Sequence, residues 1–283
     1  MVGETAFREY LNELKKHTPY DFSEYSDNSI HRRIRKILKD YDLTMQQLLE
    51  RTKTDEDFVE KVVEEITVNT TELFRDPEIW TNIYDKIFAG VKSKKTINIW
   101  HAGCSSGMEV YSNLIIMSEL GLLDRIKVYG TDINARMVRQ AKSGKYALKF
   151  NLEQLQAFNK SLKKKPIQGI SEIDFTKYFE FHEEEDVLIV KDFLRKVPWF
   201  VKHDLVQEEI PFYNKFDIVF CRNVLIYFNA SLQSKLFKRF HDQMYPGAFL
   251  LLGNHENMSG FYKTKFSKNG PLFVKNNSFH FKY

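Results

Sequence analysis

Four short stretches hold side chains whose types and spacing could do chemistry together. The first, TINIWHAGCSSGMEVYS (96–112), reads as a strand, a glycine-bearing turn and a helix. Gly103 and Gly107 would let the backbone approach a ligand where a Cβ would obstruct it. The helix start offers unpaired N–H groups, and Glu109 beside it could accept hydrogen bonds from a ligand ammonium or hydroxyl. The spacing is not G-x-G-x-x-G, so the pyrophosphate fingerprint of nicotinamide and flavin enzymes is absent. A plain strand-to-helix turn is the equal alternative. The second stretch, KVYGTDIN (127–134), ends a strand on Asp132. A carboxylate there can bind both hydroxyls of a ribose or cap the helix that follows; coming after the glycine turn, it is read as a ribose ligand.

The third stretch, VNTTELFRDP (68–77), offers Asn69, Thr71 and Arg75. Positions 71 and 75 would share a face if the segment were helical; propensity alone reads it as a capped linker with a surface arginine. The fourth, FDIVFCRNVLIYF (216–228), interrupts an apolar run with Arg222 and Asn223 and ends near Tyr227. Open α/β sheets bind ligands outside the carboxyl ends of their strands, which would put these three residues in or beside a crevice. The alternative is a rim arginine and a helix-capping asparagine. His101, His203 and His255 have no zinc-type spacing, so no metal is expected. Ser105 and Ser106 lack the elbow of serine hydrolases, and CRNV stands where a base-modifying methyltransferase would carry an Asp-Pro-Pro-Tyr-like motif.

The elements that must position these residues follow from periodicity. Residues 4–65 read as helices only. In SIHRRIRKILKDY, Ile30, Ile34, Ile37, Leu38 and Tyr41 recur at helical spacing, with Arg32, Arg35, Lys36 and Lys39 on the opposite face. From about residue 95, TINIW, KVYGTD, FDIVFC and AFLLLG alternate with helical segments, the signature of a parallel sheet with crossover helices. KSLKKKP (160–166) reads as a basic link into DFTKYFEFHEEEDVLIVKDF, a small antiparallel insert, and LFVKNNSFHFKY as a closing hairpin turning at Asn276 and Asn277. With 43% hydrophobic and 28% charged residues the 283-residue chain has the composition of a soluble globular protein. Its net charge of +4 is uneven: residues 1–66 hold 11 basic and 15 acidic side chains, the remainder 31 and 23. Nucleic acid demands denser basic clusters and is not expected as a partner. Two cysteines without a framework suit a reducing cytosol, and no apolar run is long enough for a signal or a bilayer span.

Taken together the four stretches resemble the CheR family, S-adenosylmethionine-dependent methyltransferases of bacterial chemoreceptors. NTTELFR is similar to the family's N-x-T-x-F-F-R, with Leu73 for the first Phe; AGCSSGMEVYS to its glycine turn; TDIN to its D-I-D/N strand end; and CRNVLIYF to C-R-N-V-x-I-Y-F in full. YDFSEYSDNSIHRRIRK resembles the family's N-terminal helical domain. The resemblance implies a Rossmann-like class I methyltransferase sheet with an N-terminal all-helical domain and a small antiparallel β insert. The expected division is a receptor-docking domain over 1–66 and a methyltransferase domain over 67–283, with the insert at about 171–200. It implies that Asn69, Thr71, Arg75, Glu109, Asp132, Asp204, Leu205, Arg222 and Asn223 line the pocket for S-adenosyl-L-methionine and its product S-adenosyl-L-homocysteine. Arg75 and Tyr227 would stand beside the transferred methyl. Arg32, Arg35, Lys36 and Lys39 would dock the glutamate-rich receptor helices, a solvated charged face being the equal alternative, the enzyme acting as a cytoplasmic monomer that does not insert into the membrane. A module that binds the cofactor without efficient catalysis is the alternative. Departures are Met108 and Val110 in the glycine-turn motif, Asp204 for the family's Asn, GNHEN (253–257) for G-H-S-E, and a glycine-free HEEED turn in the insert, where tail-docking members carry a glycine.

Overall fold

The structure is a computed structural model and describes residues 4–277. Four helices come first: α1 (Glu4–His17), α2 (Asp27–Asp40), α3 (Met45–Thr54) and α4 (Glu56–Ile66). Each turns one apolar stripe inward, and Phe7, Leu14, Ile34, Ile37, Leu48 and Val62 all pack in one buried cluster. The starts are set locally. Thr44 and Gln47 form a reciprocal capping box on α3, and Asp55 accepts the Phe58 N–H at 2.9 Å to begin α4. Ile34 is fully buried, so Ile34→Ala would cost about 2–5 kcal/mol.

A second layered unit follows: α5 (Pro77–Val91), β1 (Ile97–Ala102), α6 (Met108–Glu119), β2 (Ile126–Asp132), α7 (Ala135–Ser143), β3 (Lys145–Ala147), α8 (Leu148–Lys164), β4 (Phe179–His182), β5 (Val187–Val190), α9 (Asp192–Arg195), β6 (Pro198–Lys202), β7 (Phe216–Cys221), α10 (Ala230–Gln243), β8 (Met244–Leu252), β9 (Phe266–Asn269) and β10 (Leu272–Lys275). The main sheet has the order β6-β2-β1-β7-β8-β10-β9. Its first five strands run parallel, and β10 and β9 close it antiparallel. Every residue of β7 is buried, as a strand covered on both faces requires. The chain leaves β1 toward β2 on one side and later returns to pair β7 on the other. The carboxyl ends of β1 and β7 therefore flank a topological switch point, where sheets of this kind open a crevice.

The smaller sheet, β3-β5-β4, is the antiparallel insert. Its bounds differ from the expected 171–200. It starts at β3, encloses α8, and ends before β6, whose Pro198–Lys202 pair with β2 in the main sheet. The hairpin signal around HEEED was visible, but the three-residue β3 is too short to leave one. KSLKKKP is largely the last turn of α8 rather than a link, its lysines standing where a helix C-terminus favours cations. The closing hairpin turns at Gly270 and Pro271, between β9 and β10; the second arm expected after Asn277 lies outside the described residues.

Candidate active site

The crevice at the switch point holds about 1070 Å³, counting the space open to solvent, and all ten expected residues from Asn69 to Tyr227 line it. Three of the backbone segments around it are held in a conformation that ordinary residues avoid. Phe74, Asp76, Ser105 and Asn223 all have left-handed φ, between 48° and 59°, at about 1–2 kcal/mol apiece for Phe74 and Ser105, which lack the tolerance of asparagine and aspartate for this region. The segment 68–76 is not helical, so Thr71 and Arg75 do not share a helix face. It is a turn pinned by the Phe74 N–H on Ser112 Oγ at 2.8 Å.

The two glycines are demanded by the backbone itself. Gly103 and Gly107 have φ of 74° and 83°. A Cβ on Gly103 would stand 2.5 Å from Val224 Cγ2, and one on Gly107 would stand 2.8 Å from Ala141 Cβ. Both positions are required by the turn and by close packing of protein on protein, and Gly103 also lines the crevice. The turn folds back onto β2, with the N–H groups of Gly103 and Cys104 on the Thr131 carbonyl at 2.8 and 2.9 Å.

Glu109 in the first turn of α6 is fixed by a directed chain. Tyr84 donates its hydroxyl proton to Asn113 Oδ1, and Asn113 donates to His101 Nε2 at 3.0 Å. His101 therefore carries its proton on Nδ1 and donates it to Glu109 Oε1 at 2.9 Å. Arg222 approaches Glu109 Oε2 at 3.3 Å, Asp76 at 2.7 Å and the Arg75 carbonyl at 3.2 Å. Burial works against ionisation of Glu109, but the His101 hydrogen bond and the Arg222 charge outweigh it, and its pKa lies below the usual glutamate value. Arg222 is thus no rim cation: it is buried and staples the 75–76 corner to α6. Two carboxylates against one guanidinium leave this wall net negative.

Asp132 at the end of β2 accepts the N–H groups of Ser105 at 2.7 Å and Asn134 at 2.9 Å. It does not cap α7; Asn134 does, accepting from Arg136 and Met137. Burial raises the Asp132 pKa despite both hydrogen bonds. Asp204 beyond β6 is raised in the same way by burial, and its Oδ1 holds the Val206 N–H at 2.8 Å. Asn223 caps no helix either; α10 begins on Asn229. Its left-handed backbone is held by Glu256, a buried carboxylate that accepts the N–H groups of Asn223, Gly253 and Ile226 at 2.8, 2.7 and 3.2 Å. Sequence reasoning did not single out Glu256, although it lies in the GNHEN stretch set against the family pattern.

The mouth of the crevice is shared with the helical domain. Tyr25, Ser29 and Ile30 line it, a contribution that sequence reasoning missed. Tyr25 bridges Phe228 in a short antiparallel pair, with the Ser26 N–H on the Tyr227 carbonyl at 2.8 Å and the Asn229 N–H on the Glu24 carbonyl at 3.0 Å. Arg75 spends one donor on the Thr70 carbonyl at 3.2 Å. Of the expected docking cations, Arg32, Arg35, Lys36 and Lys39 are exposed on α2 outside the crevice. Lys36 is paired with Asp40 and Glu65 at 2.6 and 2.8 Å.

A crevice at the switch point, a carboxylate ending the second strand and a net-negative wall suit a nucleoside carrying a positive centre, and the family match gives the class as S-adenosylmethionine-dependent methyltransferases. The family model described as "CheR methyltransferase, SAM binding domain" matches residues 69–271, and "CheR methyltransferase, all-alpha domain" matches 5–67. Similar curated proteins include Cher3 of Pseudomonas putida, 33% identical over 240 residues, 84% of either chain. The chemotaxis protein methyltransferase of Borreliella burgdorferi is 29% identical over 71% of this chain and 68% of its own. Chemotaxis protein methyltransferase 1 of Vibrio cholerae is 33% identical over 70% and 68%. The chain belongs to the CheR methyltransferase family, and its cofactor is S-adenosylmethionine. Among the described residues no helix is long and apolar enough to cross a membrane.

Proposed function

We propose that the protein forms methyl esters on glutamate side chains of chemoreceptor cytoplasmic helices, working in the cytoplasm as a monomer. Residues 1–66 serve as the docking domain and 67–283 as the methyltransferase. The observation that carries this reading is what the crevice mouth offers an acceptor: a guanidinium, Arg75, and a phenol, Tyr227, rather than a histidine poised as a base. His203, the histidine of the lining, donates from Nε2 to the Glu209 carbonyl at 3.1 Å, and burial lowers its pKa. Such a mouth suits an acceptor that is already an anion, as a glutamate carboxylate is near pH 7, its ordinary pKa being about 4.3.

S-adenosylmethionine supplies an electrophilic methyl group on a sulfonium. The chain's own residues hold and aim. Asp132 takes the ribose hydroxyls, Asp204 and Leu205 the adenine, and Glu109 with Arg222 the amino-acid end, with Asn69, Thr71 and Asn223 completing the walls. Arg75 orients the acceptor carboxylate and Tyr227 fixes the reacting groups by its hydroxyl, so that catalysis is alignment and exclusion of water. Arg32, Arg35 and Lys39 offer positive charge to an acidic helix, while Lys36 is largely neutralised. Arg75→Ala should lower kcat by about 100-fold and Tyr227→Phe by about tenfold, both with S-adenosylhomocysteine affinity within a few-fold of the parent. Near-parent turnover in both would remove them from the mechanism.

A further inference from the structure

We infer that His101 is a positioning residue that makes the crevice selective for adenosine ligands bearing an amino-acid end, acting through Glu109 rather than by contact. This rests on the reading above that Glu109 with Arg222 holds that end. Neither His101 nor its partner Asn113 belongs to AGCSSGMEVYS (102–112); the two flank that stretch on either side, so the resemblance assigns them nothing. The His101 side chain is fully buried, whereas Glu109 keeps 17% of its side chain exposed and lines the crevice. The imidazole plane is set from β7: His101 lies in register with Phe220, and their rings stack at 4.3 Å and 8°. Its tautomer is set from α6, because the fully buried Asn113 gives its amide N–H to Nε2 while its Oδ1 is taken by Tyr84.

With plane and tautomer both fixed, Nδ1–H has one direction in which to donate, onto Glu109 Oε1 at 2.9 Å. A glutamate in the first turn of a helix would otherwise be free to swing outward or to turn both oxygens onto Arg222. Holding Oε1 leaves Oε2 with Arg222 alone, at a long 3.3 Å, and therefore with capacity for a second donor. The donor that fits is the ammonium at the amino-acid end of the cofactor. It meets a carboxylate already oriented and is spared the cost of ordering it. Burial works against the charge on Glu109, and of the influences that restore it the His101 hydrogen bond comes first, ahead of Arg222. The imidazole thus supplies both the direction and the charge of the acceptor, and the adenosine half of the ligand, held elsewhere in the crevice, does not depend on it.

The test is titration calorimetry on the whole protein with two ligands, S-adenosylhomocysteine and 5′-methylthioadenosine, the second lacking the amino-acid end. His101→Phe keeps a ring to stack on Phe220 but has no donor. It should weaken S-adenosylhomocysteine about tenfold and leave 5′-methylthioadenosine within about twofold of the parent. His101→Asn can place an amide N–H where Nδ1 stands, and should recover S-adenosylhomocysteine affinity to within about threefold of the parent despite losing the stacked ring. A residue that merely fills space would show the reverse order, or equal losses for both ligands that follow the melting temperature. Either pattern, or unchanged S-adenosylhomocysteine affinity in His101→Phe, overturns the inference. His101→Leu, which also lacks the donor, takes the place of His101→Phe if that variant does not fold. Glu109→Gln separates the inference from the reading beneath it: this variant should lose most of the preference for S-adenosylhomocysteine. If it keeps that preference, the assignment of Glu109 to the amino-acid end falls and takes the inference with it.

Discussion

Asp132 and Glu109 are both buried carboxylates in one crevice, yet their environments push them in opposite directions. Glu109 has a cation and an imidazole donor and stays ionised. Asp132 has only two backbone N–H groups, and burial outweighs them, so its pKa lies above the ordinary 3.8. A ribose hydroxyl donates to the ionised form, and protonation removes an acceptor. Affinity for S-adenosylhomocysteine should therefore fall as pH drops, and begin to fall at a higher pH than an exposed aspartate would require. Asp132→Asn should bind more weakly and lose that acid-side dependence; titration calorimetry across the acidic range checks both, and an acid limb that persists in Asp132→Asn would contradict the assignment. At this scale the sequence was informative where a residue's position follows from its place in a strand–turn unit, as with Asp132, which ends β2 at the crevice. It put Arg222 at the crevice but left a rim cation open, because whether an arginine after an apolar run is exposed or buried depends on Asp76 and Glu109, which come from other segments.

The elements are joined at the crevice by a few buried side chains whose work is to hold backbone. Glu256 is the clearest, gathering three N–H groups from the turns after β7 and β8. Glu256→Ala would leave those donors unpaired and should destabilise the protein by about 3 kcal/mol, with a further loss in kcat because Ile226 precedes Tyr227. Glu256→Gln can keep Oε2 as an acceptor and forfeit only the Ile226 contact, so its cost should be about 1 kcal/mol; thermal denaturation beside initial rates measures the pair. Equal effects of the two substitutions would show that the carboxylate does not act as this splint. Helices and buried strands were legible because their apolar periodicity is local. The third strand of the insert and the true course of 68–76 were not, since a three-residue strand and a turn with two left-handed residues are fixed by long-range contacts such as Phe74 N–H to Ser112.

At the scale of the whole molecule, the helical domain is part of the site. It supplies Tyr25, Ser29 and Ile30 to the lining, is clamped to the Tyr227 loop by backbone hydrogen bonds, and is tied again by Glu24 to Lys235 at 2.8 Å and by Glu60 to Lys202 at 3.2 Å. Separate helical and α/β portions could be read from the change in texture near residue 95. Their joint ownership of one cleft could not, because residues 24–26 and 227–229 meet across most of the chain. On the proposed reading, an acidic substrate helix would meet α2 and the crevice at once. The central claim is that the group methylated is a carboxylate, and the most direct measurement is transfer of labelled methyl from S-adenosylmethionine to a chemoreceptor cytoplasmic fragment, followed by mild alkali. The account predicts incorporation that is released as methanol by base and abolished by changing the acceptor glutamates to alanine; label that survives alkali, or no incorporation at all, would contradict it.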